Sequence, residues 1–225
     1  MGRDALFSGS VSAPTHLLKG LAWILLAILC WAPMFSVAKR ALPYVDAFAL
    51  GSLRYAIGSL LFVGLLWAIE GRRALRFEGR AAAATTFGLI GITGFNVFVW
   101  VGLGTTRPEH ASIIMSLQTP LIALAVWLTR GQPPAPFVRA CIVVALVGVI
   151  LVVTKGSPLG AFEGGTLFGD ALVLCGAISW VIYTLAGARF AGWSPLRLTV
   201  LTCIPGAAGL FVANGIAIAA GIATV

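Results

Sequence analysis

The sequence predicts an all-α fold: a polytopic helical membrane protein with seven transmembrane helices. Two observations carry that prediction. The 225 residues are 60% hydrophobic and only 10% charged, with a mean hydropathy of +1.02. Soluble domains run near 45–50% apolar and about 25% charged. The apolar residues also fall into seven long runs. A run of roughly 20 apolar residues crosses about 30 Å of hydrocarbon. Backbone groups in lipid must bond within their own segment, so such runs are helices.

The elements follow in order. Residues 1–19 form a polar N-terminal segment with Arg3, Asp4, His16 and Lys19. Span 1 is Leu21–Ala38. Ser36-Val37-Ala38 imitates a signal-peptidase site, but the uncharged run exceeds a usual signal core of about 7–15 residues, so the helix is expected to be retained. Span 2, Ala47–Ile69, carries a lone Arg54, and Arg72, Arg73, Arg76 and Arg80 follow it. Span 3, Ala81–Leu103, places Gly88, Gly91 and Gly94 on one stripe. Span 4, Ala111–Thr129, contains Pro120 and is closed by Arg130-Gly131-Gln132-Pro133-Pro134. Span 5 is Pro136–Val153, followed by a Gly-rich loop with Lys155 and Glu163. Span 6, Leu167–Ala188, begins near Asp170, read as a helix cap, and is closed by Arg189. Span 7, about Leu198–Val225, is interrupted at Pro205-Gly206.

The net charge of +8 is a topology signal here and does not point to nucleic acid. With the N-terminus cytoplasmic, ten cations lie in inside segments and four in outside loops, as the positive-inside rule requires. The four cysteines have no CxxC pairing and read as small packing residues; His16 and His110 have no metal-ligand spacing. No metal and no cofactor are implied. The partners expected are the lipid bilayer and a small-molecule solute, with homo-oligomerisation left open.

The chain also repeats. An offset of 149 residues aligns Gly20 with Gly169, Trp31 with Trp180 and Arg40 with Arg189 without a gap. The offset covers five spans, and an odd number inverts the second copy, the architecture of many secondary transporters. The units expected are 20–155, a first five-helix repeat, and 167–225, the start of a second, incomplete one.

Several residues stand out within the spans. Intramembrane charge costs at least about 2.5–3.5 kcal/mol, so Arg54 either faces a wet cavity, anchoring an anionic solute, or snorkels to the headgroups. Lys39 is a gate or substrate cation, or an interfacial anchor. Asn96, Trp100 and Gln118 line a path or bond a neighbouring helix. Trp31 and Trp180 lie away from the interfacial belts, as cavity walls or as core, and Tyr183 shares the face of Trp180. Pro33 and Pro120 are hinges or static bends. The glycines of span 3 and the Gly206-Ala207-Ala208-Gly209 segment are expected to serve helix packing.

On these residues the chain resembles the drug/metabolite transporter superfamily, in its EamA-type branch. Trp31, Phe35 and Lys39 are similar to that family's Trp-Gly-x-x-Phe-x-x-x-Lys pattern, with Ala32-Pro33 in place of the glycine step. Arg54 stands where the family often has an arginine in its second helix. Glu109 to Pro120 resembles the fourth helix, Leu146 to Leu151 the fifth, and Gly169-Asp170-Ala171-Leu172 with Ser179-Trp180 and Tyr183 the start of the second repeat. The Glu often found after the fourth helix is absent. The resemblance implies a 5+5 inverted-repeat fold moving small organic metabolites across the plasma or inner membrane, often outward. It also implies that helices eight to ten are missing here. The alternatives are a shortened, transport-inactive membrane fragment or a non-transport seven-helix protein. A retinal receptor needs a lysine in its last helix, and none follows Lys155. An enzyme is not expected: the seven carboxylates lie in loops or at helix ends.

Overall fold

The structure, a computed structural model, describes residues 14–131, 133–154, 165–221 and 223. The described residues form helices joined by short connections, and seven stretches are long and apolar enough to cross a membrane. The polar segment 1–13 and the Lys155–Glu163 loop fall outside the described residues.

The first span is two helices, α1 (Pro14–Trp31) and α2 (Met34–Ala41). It starts earlier than the composition suggests, since Pro14–Gly20 are already helical. The break falls at Pro33, which has no N–H to offer the Leu29 carbonyl. The second span is α3 (Ala47–Glu70), opened by Asp46, whose carboxylate accepts from the Phe48 amide at 2.8 Å. The third comprises α4 (Ala81–Gly88), a π-helical turn over Leu89–Gly94, and α5 (Phe95–Thr105).

The fourth is split into α6 (Pro108–Ser116) and α7 (Gln118–Arg130). Leu117 bonds back only three residues, to Ile114, and Pro120 leaves the Ser116 carbonyl without its regular partner. Gly131, in the left-handed region at φ 67°, ends α7. The fifth span is α8 (Pro136–Thr154) and the sixth α9 (Leu167–Ala186), continued by a 3₁₀ turn to Phe190. The seventh is α10 (Pro195–Ala219), capped by Ser194. Pro205-Gly206 does not interrupt it: the helix runs through, and the Gly206 carbonyl accepts from Thr93 Oγ1 at 2.8 Å. Pro205 leaves the Leu201 carbonyl without its regular donor, and the helix continues past it packed closely on span 3.

Span 3 is the packing hub, with α5 against α9 and the π turn against α10. Small residues allow the approach. A Cβ on Gly169 would lie 2.6 Å from the Gly102 carbonyl oxygen, and one on Gly206 would lie 2.9 Å from that of Gly88. Only glycine fits at such crossings. The periphery is the reverse. No residue of α8 is buried, and Leu60, Leu61 and Val144 are more than two-thirds exposed. An apolar surface of this extent suits lipid, not water.

Each end of the bundle is tied by polar contacts. At one end Glu78 pairs with Arg197 at 2.8 Å and accepts from the Trp193 indole at 3.1 Å. These two donors hold the exposed Glu78 carboxyl below its ordinary range. Arg80 reaches the Ala191 carbonyl at 3.2 Å, tying the connection after span 2 to the one after span 6. At the other end Lys39 donates to the carbonyls of Leu103, Gly104 and Thr106. Asp170 is 4% exposed there. It does not cap its own helix: its carboxylate accepts from Thr106 Oγ1 and lies 3.2 Å from His110 Nδ1. An N-terminal carboxylate turned to neighbouring spans still interacts favourably with the α9 dipole.

Candidate functional site

The site is built on Arg54, the one cation set deep in a span among the described residues. Arg54 stands two turns into α3 and reaches sideways. Its guanidinium donates to Asn96 Oδ1 at 2.8 Å and touches Met34 Sδ at 3.2 Å. It lies 5.0 Å over the Tyr55 ring and 5.1 Å over the Trp100 ring. Arg54 stays exposed towards the open side of the bundle, and two ring faces and a neutral oxygen hold its guanidinium without cancelling its charge.

Asn96 is the keystone. It is fully buried, donates to the Ile92 carbonyl at 2.6 Å, and its Oδ1 also accepts from the Trp100 indole at 2.9 Å. That one oxygen therefore orients both Arg54 and Trp100. The π turn lies immediately before Phe95 and Asn96. One such turn adds a residue to the helix and re-aims the side chains that follow, a device common at functional sites.

Arg54 opens into a cavity of about 570 Å³. Trp31 and Met34, on either side of the Pro33 break, form one wall with Arg54 and Tyr55. Phe95 and Trp180 form another, their rings 5.2 Å apart. Ser112, Met115, Ser116 and Gln118 close it from the broken fourth span. The volume suits one small organic molecule, and the mixture of apolar walls with a few polar groups is that of a ligand pocket. Most of the lining comes from the middle of spans 1, 3, 4 and 6, and span 2 adds Arg54 and Tyr55.

Of the residues singled out in the sequence, Trp31, Arg54, Gln118 and Trp180 line this cavity. Asn96 and Trp100 lie behind Arg54 and hold it. Tyr183 is one layer back, its ring 5.3 Å from Trp180 and its hydroxyl 2.9 Å from Thr202 Oγ1. Lys39 is not brought to the cavity. It sits on the last carbonyls of α5, where a cation meets both the free acceptors and the negative end of the helix. Pro33 and Pro120 are each at a break next to lining residues. The sequence reading missed Met34, Tyr55, Phe95, Ser112, Met115 and Ser116. The last three carried a signal, because positions three and four apart share a helix face.

Comparison with known proteins agrees with this architecture. The EamA-like transporter family model matches residues 18–154. The chain belongs to the EamA-like transporter family. It is 33% identical to the uncharacterized transporter YrdR of Bacillus subtilis over 197 residues, 86% of this chain and 61% of that protein. It is 28% identical to the threonine/homoserine exporter RhtA of Escherichia coli K12, over 78% of this chain and 57% of RhtA. The chain thus spans about six-tenths of the length of these relatives. A solved crystal structure of a protein superposes with a TM-score of 0.62 at 23% identity, covering 85% of this chain and 65% of the other, a likeness of fold.

Proposed function

We propose that this chain carries small organic metabolites, such as amino acids or related compounds, across the plasma or inner membrane. It acts as an exporter or facilitator and not as an enzyme, with its N-terminus on the cytoplasmic side. The observation that carries this reading is the cavity lined by the middles of several spans, with Arg54 presented to it by Asn96. The family membership and the likeness to an exporter of threonine and homoserine support it. The 149-residue repeat supports two units, 20–155 and 167–225, arranged as an inverted pair with the site between them. The breaks at Pro33 and Pro120 lie where spans 1 and 4 border the cavity, and serve as hinges for alternating access. Lys39 acts in this scheme as a pin between spans 1 and 3.

The test is solute flux in cells or vesicles containing the chain. Expression raises efflux of at least one amino acid or related metabolite in a broad panel, and Arg54→Ala lowers it about tenfold or more at equal membrane content. Flux unchanged by expression across the panel would overturn the reading.

A further inference from the structure

We infer that the cavity selects organic monocarboxylates with an apolar or aromatic body, and that it does not read a solute amino group by charge. This rests on the transport reading for the site but names what the site takes. The first observation is a charge without a counter-charge. Arg54 has only neutral partners, Asn96 Oδ1 and Met34 Sδ, and two aromatic faces. A guanidinium has five N–H donors in a fork that matches a carboxylate, so donors remain for one.

The second observation is the placement of acids. The described carboxylates all sit at helix ends or in connections: Asp46 caps α3, Glu70 ends it, Glu78 binds Arg197, Glu109 opens α6 and Asp170 meets His110. None lines the cavity. A solute ammonium would therefore meet a fixed positive charge and, among the described residues, no negative one. The third observation limits the count. Lys39, the basic residue at the end of span 1, is engaged by three carbonyls and is not offered to the cavity. One available cation matches one carboxylate. The remaining walls, Trp31, Phe95, Met115 and Trp180, offer rings and a thioether to an apolar body.

The probes are phenylacetate, phenylacetamide, phenethylamine and phenylsuccinate, which share the ring and differ in charge. They are applied to the full chain in two formats. One is competition for, and counterflow of, labelled phenylacetate in vesicles. The other is quenching of tryptophan fluorescence in detergent, since Trp31 and Trp180 line the cavity and Trp100 lies under Arg54. Phenylacetate is expected to bind and move at least tenfold better than the amide, the amine or the dicarboxylate. Arg54→Gln removes the preference of acid over amide, while Arg54→Lys keeps part of it. If the amide or the amine is bound as well as the acid by the unmodified chain, the inference is overturned even if transport stands. If no probe moves but quenching still prefers the acid, the carboxylate site stands and the transport reading fails. An acid preference that survives in folded Arg54→Gln also overturns the inference.

Discussion

Asn96 shows how much can rest on one oxygen. Its Oδ1 accepts from both Arg54 and Trp100, and its amide is spent on its own helix. Asn96→Leu fits an apolar setting by volume yet strands the buried Trp100 indole N–H, and it takes an acceptor from the exposed Arg54 guanidinium. The expected cost is about 1–3 kcal/mol, the penalty for buried groups left unpaired. It is measurable as a lower unfolding temperature in detergent, accompanied by a change in Trp100 emission. That Arg54 needs a polar or wet surrounding was legible in the sequence, because a cation deep in an apolar run demands a reason. Its two competing readings were not separable there. Whether an arginine turns inward depends on what lies across the helix interface, and Asn96 is 42 residues away. Lys39 illustrates the same limit in reverse. Its partners are backbone carbonyls about 64 residues on, and carbonyls leave no mark in sequence. Lys39→Met keeps the apolar stem but releases those carbonyls. It should lower thermal stability while leaving Arg54-dependent ligand quenching in place.

Among the elements, the seven spans were legible because each is a long compositional signal. The breaks were less so. Pro33 and Pro120 announced bends, but Pro205 announced one that did not become a break: α10 runs through it, packed on span 3 at the glycine crossing. The π turn over Leu89–Gly94 left no trace that composition could detect, because it is a single-residue event inside an apolar run. The small-residue stripes carry a direct prediction. Gly169→Ala places a methyl group within 2.6 Å of the Gly102 carbonyl. Helices α5 and α9 must separate, and the protein should lose stability relative to Gly64→Ala, where nothing lies within 4 Å. The second change should be neutral or stabilising by up to about 1 kcal/mol, as alanine favours helix over glycine. Comparing the two unfolding temperatures separates a crowding effect from a propensity effect.

Across the whole molecule, two unlike polar ties hold the ends of the bundle. The Glu78–Arg197–Trp193 tie has a defined pH response. The folded carboxyl titrates below its unfolded value, so it adds stability above the ordinary value of 4.5 and loses it as pH falls through the folded value. Wild type should unfold at a higher temperature than Glu78→Gln near neutrality, and the gap should close below about pH 4.5. Span 3 packs against spans 2, 6 and 7, and its position in the chain has a consequence for synthesis. Gly102 meets Gly169, and Thr93 meets Gly206, partners that are synthesised well after span 3. At about 5–20 residues per second, span 3 sits in the membrane for several seconds before span 6 exists to cover it. Over that interval its glycine face and the Thr106 hydroxyl have no mate. The hub of the finished protein is thus the segment most exposed to misassembly while the ribosome is still at work.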